Sequence, residues 1–172
     1  MKYLFIPLLV ALLQTPASGQ SMPKPVDVLS DAIVSNANKG ADVVMTHKGE
    51  VATKNSFRPP LRITYVAKTN TTDLRIGYAA NQIIFNWKDS PQELRIDGGP
   101  ANGRHVQGGG KIPKGTFVTI VQDVTPTRMT ISVDGVIRAT WDADFSGVNE
   151  QIRVFPNNST VTVHSITVSQ LK

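Results

Sequence analysis

The chain has 172 residues, 18 Lys and Arg against 13 Asp and Glu, a net charge of +5, and no cysteine. A domain of this length buries a core without staples, and the missing thiols exclude disulfides and cysteine-held structural zinc. The mild positive charge fits an acidic polysaccharide or an anionic cell surface, and equally simple solubility.

The chain order begins with an export signal. Met1-Lys2 is a short basic start, Tyr3 to Leu13 is an apolar run, and Thr15-Pro16 breaks it. Ala17-Ser18-Gly19 then offers small residues to a signal peptidase, so cleavage is expected before Gln20. The run falls short of the roughly 20 apolar residues that span a bilayer. The expected location is secreted or periplasmic, with no transmembrane segment after cleavage and no nucleic-acid partner. Lys2 leaves with residues 1–19, which takes the net charge from +5 to +4.

Residues 20–40 read as a leader. Within it Val26, Leu29, Ile33 and Ala37 fall near helical spacing, which predicts a short helix over Val26 to Asn38 ended by Lys39-Gly40. From Ala41 to Lys172 the period is two, the mark of half-buried antiparallel strands. Leu61, Ile63, Tyr65 and Ala67 share a face opposite Arg62, Thr64 and Lys68. Leu74, Ile76 and Tyr78 oppose Arg75 and Gly77. Ile83, Phe85 and Trp87 oppose Ile84, Asn86 and Lys88, and Leu94 and Ile96 oppose Glu93, Arg95 and Asp97.

Gly98 to Gly115 is too rich in Gly and Pro for a regular element and predicts a long loop. Strands follow over Phe117 to Val124 and through Met129, Ile131 and Val133. Asp134-Gly135 is a two-residue hairpin signal, after which Ile137, Ala139 and Trp141 continue the inward face. The last strands are Gln151 to Phe155 and Thr160 to Gln170. In the last one, Val161 and Val163 disagree in parity with Ile166 and Val168, and a bulge near His164-Ser165 repairs the register. The fold class is all-β: an antiparallel two-sheet jelly-roll sandwich over 41–172.

The segments Phe117-Val-Thr-Ile-Val-Gln-Asp-Val124, Arg128-Met-Thr-Ile-Ser-Val-Asp-Gly135 and Ile166-Thr-Val168 resemble the closing half of a concanavalin A-like lectin/glucanase sandwich. Laminin-G-like modules, galectins and 3-keto-disaccharide hydrolase-type domains share this layout. The resemblance implies a two-sheet jelly roll, frequently with glycans bound on one sheet. Ile84-Phe-Asn-Trp87 followed by Glu93-Leu-Arg95 is similar to the galectin sugar site, but the upstream His-x-Asn-x-Arg signature is missing and galactoside binding is not assigned.

Parity gives a candidate site. A hairpin of Ile83–Lys88 with Glu93–Asp97 sets Asn86, Lys88, Glu93, Arg95 and Asp97 on one polar face, and Arg62 and Arg75 join if their strands pair in the same sheet. Arginine forks pair carboxylate or sulfate bidentately, which suits an acidic glycan. The plainer reading is cross-strand ion pairing, at ~0.2–1 kcal/mol per pair. His105, beside Arg104 in the glycine-rich loop, joins the candidates because binding groups gather in loops. Trp87, Trp141, Tyr65 and Tyr78 fall on inward parity and belong to the core.

No catalytic set emerges. Glu93 and Asp97 lie four residues apart on one strand, ~13 Å, too far for a glycosidase pair along it. The Glu-x-Asp-x-x-Glu string of laminarinase-like enzymes and the strings of alginate lyases are absent. His47, His105 and His164 lack ligand spacing. Gly108-Gly-Gly110-Lys111 lacks the hydroxyl residue and helix of a phosphate loop. Asp142-Ala-Asp144 is only a weak calcium pattern, so no cofactor is expected. Asn70, Asn157 and Asn158 head glycosylation acceptor triplets, relevant in a eukaryotic secretory pathway. Three functions remain: a carbohydrate-binding module, a hydrolase or lyase acting on poly- or disaccharide, and a protein-interaction sandwich.

Overall fold

Among the described residues the chain forms twelve strands, the longer of which follow the alternation of apolar and polar residues. In the computed structural model, residues 26–27 (backbone only) and 42–171 are described. The strands are β1 (Val26–Asp27), β2 (Val43–Thr46), β3 (Val51–Ala52), β4 (Leu61–Thr69), β5 (Leu74–Gly77) and β6 (Gln82–Phe85). They continue with β7 (Arg95–Asp97), β8 (Val118–Val124), β9 (Arg128–Val133), β10 (Val136–Asp142), β11 (Arg153–Pro156) and β12 (Thr160–Gln170). All pairings are antiparallel. A seven-stranded sheet runs β1-β12-β4-β8-β9-β10, with β2 also paired to β12, and a five-stranded sheet runs β3-β11-β5-β6-β7. Among the described residues every regular element is a strand, as the alternation predicts.

The core lies between the sheets. Tyr65, Tyr78, Phe85 and Phe145 are its largest fully buried side chains, packed with Ile63, Leu74, Ile76, Ile83, Leu94, Ile96 and Ile120. Gln122 lies among them on the inward face of β8. It accepts a hydrogen bond from the Tyr65 hydroxyl at 2.9 Å and donates one to the Tyr78 carbonyl at 2.8 Å. Gln122 thereby ties β8 to the residue that follows β5, in the other sheet. Burial, then the neighbouring Tyr78, pushes the Tyr65 phenol up and keeps it a donor.

Local chemistry explains the turns. Asp134 and Gly135 both have positive φ (50° and 80°), the geometry of the tight hairpin that joins β9 to β10. The register of β12 shifts between Val163 and Ser165, the bulge expected from its broken parity. Val161, Val163, Ile166 and Val168 are all buried as a result.

Three expectations need correction. Val26–Asp27 is no helix start: it pairs with Thr167 and Val168 of β12. The remainder of the expected helix, like the expected signal segment, lies outside the described residues. Ile137 does not continue the inward face of Ala139 and Trp141. A register shift between Ile137 and Ala139 turns it outward, and it is 67% exposed. The strand expected over Ile83–Lys88 stops at Phe85, because Asn86 adopts a left-handed φ of 50° and ends the alternation.

Candidate functional site

The outward face of the five-stranded sheet gathers the polar side chains that parity singles out. Cross-strand pairing sets Phe155 beside Arg75, Arg75 beside Ile84, and Ile84 beside Arg95, in one row over β11, β5, β6 and β7. One pleat away, Arg153 pairs with Gly77, and Gln82 pairs with Asp97. Ile84 is 1% exposed although it points away from the core, flanked by the two arginines.

Hydrogen bonds link this face into a chain. Arg75 Nη1 donates to Gln82 Oε1 at 2.6 Å, and Gln82 Nε2 donates to Asp97 Oδ2 at 2.7 Å. Arg95 Nε donates to the same Asp97 oxygen at 3.0 Å. Burial disfavours the Asp97 carboxylate. The hydrogen bonds from Arg95 and Gln82, with the charges of Arg95 and His105, outweigh it and hold the carboxyl below the usual range. Arg75 is the deep end: its Nη2 donates to buried Asp73 at 2.9 Å, and its side chain is 13% exposed.

Arg95 is the open end. Its guanidinium lies over the half-buried Trp87 ring, 4.4 Å from the centroid, a cation–π stack. Nε carries its bond to Asp97, while both Nη groups make no hydrogen bond to another described residue. A second such pair, Arg153 over half-buried Phe155 at 5.6 Å, lies at the β11 side of the face.

The glycine-rich loop walls the β7 side. Leu94 and Val106 exchange backbone hydrogen bonds at 2.8 and 3.0 Å, and Gly103 N donates to the Ile96 carbonyl at 3.1 Å. The Ile96 N–H donates to His105 Nδ1 at 3.1 Å, so an imidazole takes the place of the missing strand carbonyl. Gly110 N donates to the Gln92 carbonyl. A Cβ at Gly110 would stand 1.9 Å from the Glu93 carbonyl oxygen, so only glycine fits against that edge.

The expected site residues thus separate. Arg75, Arg95 and Asp97 come together. Glu93 and His105 stand at the rim, 4.0 Å apart, with Glu93 also accepting from Gln107 at 2.9 Å. Lys88 is exposed in the turn after β6. Asn86 does not face solvent. It is buried, and its amide both donates to and accepts from the Ile112 backbone at 3.0 Å. Arg62 does not join the face either, because β4 belongs to the other sheet, where Nε and Nη2 each reach an Asp123 oxygen at 2.7 Å.

Sequence reasoning missed four members of the face: Gln82, Trp87, Arg153 and Phe155. Arg153 and Phe155 share outward parity in β11, which an alternation count over Gln151 to Phe155 could have found. Trp87 is placed outside the core by the left-handed Asn86, contrary to its parity; Trp141, 4% exposed, does pack inward. Of the weak calcium pattern, Asp142 is held by Arg128 at 2.6 Å, and Asp144 bonds the Ser146 hydroxyl at 2.6 Å. Among the described residues no group of three His, Asp or Glu side chains forms a metal cluster.

No protein-family model matches the chain, and no curated protein matches it. Solved structures do match. The Crh5 transglycosylase in complex with NAG superposes with a TM-score of 0.62 at 13% identity, over 88% of this chain and 85% of that one. Bacillus licheniformis β-glucanase gives 0.59 at 12% identity, over 92% and 91%. The carbohydrate-binding module CBM66 from Bacillus subtilis gives 0.57 at 10% identity, over 87% and 98%. At such identities the likeness speaks to architecture alone, and on that ground the chain is a two-sheet sandwich of the concanavalin A-like fold.

Proposed function

We propose that the chain is an exported, secreted or periplasmic carbohydrate-binding module that takes acidic glycans on the outward face of its five-stranded sheet. The observation that carries this reading is the Trp87–Arg95–Asp97 arrangement. Trp87 and Asp97 fix the guanidinium plane, and the two Nη groups stay open to a carboxylate or sulfate. Structural neighbours that act on or bind glycans support the same reading. The basic balance of the chain favours an anionic cell-surface polysaccharide as the partner.

A hydrolase or lyase is the second reading. It is favoured by the Glu93–His105 approach of 4.0 Å at the rim of the face. Against it stands the spacing of Glu93 and Asp97, which spans ~13 Å over four residues of extended chain.

The test is a glycan array on the purified protein, with and without calcium, repeated with Arg95→Ala and Trp87→Ala. Saturable binding to acidic glycans, weakened about tenfold in both variants, is expected. Turnover of an acidic polysaccharide that Glu93→Gln abolishes would favour the enzyme instead.

A further inference from the structure

We infer that the ligand is an anionic oligosaccharide longer than a disaccharide, laid across the strands and gripped at its two ends by two arginine–aromatic pairs. Arg95 with Trp87 forms one end and Arg153 with Phe155 the other. The inference deepens the carbohydrate-binding reading above and rests on it.

The geometry of the sheet sets the length. The two arginines belong to β7 and β11, with β5 and β6 between them, and Trp87 follows β6. Three inter-strand steps span about 14 Å. Both ends have the same construction: an arginine over an aromatic ring, at 4.4 Å for Arg95 and 5.6 Å for Arg153. Both arginines are about a third exposed, at 31% and 33% of the side chain, whereas Arg75 between them is 13% exposed and tied to Asp73 and Gln82.

The middle of the face is therefore a floor, and the ends are grips. Ile84 and the Arg75–Gln82–Asp97 chain supply an apolar step and a fixed polar surface, with the cations held at either side. The β11 end is shaped for a low-lying guanidinium. Arg153 Nη2 donates to the Asn81 carbonyl at 3.1 Å, and a Cβ at Gly77 would stand 3.0 Å from Arg153 Nε and Nη2. The acidic partner of Arg153 is Glu50 at 3.5 Å, a long contact that a ligand carboxylate can replace. A neutral glycan of the same shape brings no charged acceptor to the open Arg95 Nη groups or in place of Glu50 at Arg153.

The experiment is isothermal titration of the full protein with linear oligohexuronates of increasing length from the dimer, beside neutral hexose oligomers of matched length and linkage. Affinity for the acidic series is expected to rise about tenfold once the chain spans both ends. Arg153→Gln should erase that rise and leave the dimer unchanged, while Arg95→Gln weakens every length. Phe155→Leu, which leaves the Arg153–Asn81 bond in place, should lose part of the rise and guards against a folding artefact at Arg153. A flat length dependence overturns the two-ended site, as do equal losses for dimer and longer chains in Arg153→Gln. Equal affinity for the neutral series overturns the anionic ligand. All three leave glycan binding standing. No heat with either series overturns that reading as well.

Discussion

The two outward faces of this sandwich carry arginines on strands of the same alternating pattern, and they put them to different use. On the seven-stranded sheet, Arg62 and Asp123 stand opposite each other in register, and the carboxylate takes both of its hydrogen bonds from that one guanidinium. Arg128 and Asp142 repeat the arrangement at 2.6 Å. Those charges are closed upon themselves. On the five-stranded sheet the residue opposite each arginine is apolar or has no side chain: Ile84 beside Arg75 and Arg95, Gly77 beside Arg153. The arginines there turn to amides, aromatic rings and carboxylates other than a register partner (Asp73 for Arg75, Glu50 for Arg153, Asp97 for Arg95), and Arg95 keeps both Nη groups open. What an arginine on a wet strand face does is decided by its register partner, which lies far away in sequence.

The contrast depends on the wall that keeps the smaller face in place, and breaking that wall gives the largest effect. Gly110→Ala sets a methyl against the Glu93 carbonyl oxygen, a fixed backbone atom. Overpacking of this kind costs typically 1–3 kcal/mol and occasionally more, and the upper end is expected because no flexible side chain can yield. Urea denaturation should show the midpoint fall with an unchanged slope. Gly108→Ala is the control: nothing lies within 4 Å of its Cβ, and only its φ of +79° opposes the change. A loss of about 1 kcal/mol is expected there.

This pair of glycines also marks the limit of what the sequence makes legible. Gly98 to Gly115 reads as a loop from composition, yet its function as the wall of β7 depends on contacts with Glu93, Leu94 and Ile96. The strands, the sheet class, the Asp134-Gly135 hairpin and the β12 bulge follow from alternation and turn chemistry, which are local. The site followed only in part. Arg95 and Asp97 lie on the hairpin that parity anticipates, and Arg75 joins them because β5 pairs with β6, but Arg62 is separated from them by sheet membership, which alternation does not encode. Trp87 was misplaced for a smaller reason. One left-handed residue, Asn86, breaks the count and turns an expected core tryptophan into the ring on which Arg95 stacks.

Next in size is the link between the two sheets. Tyr65→Phe removes the donor to Gln122 Oε1 in a fully buried site and leaves that oxygen unsatisfied. A loss of about 1–3 kcal/mol follows from such an orphaned group. The same denaturation measurement checks it. A variant as stable as the parent would mean that the Gln122 bond to the Tyr78 carbonyl alone holds the contact.

The faces themselves separate in binding. Arg95→Ala should weaken acidic-glycan binding by about tenfold, the loss of one charge-assisted contact, whereas Arg62→Ala should leave it unchanged. In stability Arg62→Ala should cost under about 1 kcal/mol, because its pair with Asp123 is half exposed. Equal binding losses in the two variants would show that ligand reaches both sheets, and the division of labour would fail.

The smallest effect is in acid stability, and it sharpens the contrast because both faces own a carboxyl held below the usual range. Asp142 is lowered chiefly by its hydrogen bond from Arg128, against a smaller opposing effect of burial. For Asp97 burial is the largest influence and works in the opposite direction, yet the bonds from Arg95 and Gln82 and the charges of Arg95 and His105 prevail. A carboxyl depressed in the folded state contributes stability above its unfolded pKa. That contribution is lost as pH falls through the folded one. Asp97→Asn and Asp142→Asn should therefore each flatten the decline in melting temperature measured below about pH 4. Only Asp97→Asn should also weaken acidic-glycan binding at neutral pH, because the amide no longer anchors the Arg95 plane with a charged bond. The Asp142 carboxylate bonds Arg128 on the opposite sheet, and Arg104 of the glycine-rich loop reaches only its backbone carbonyl, at 2.6 Å, so a binding loss in Asp142→Asn would mean that the two faces are coupled through that loop.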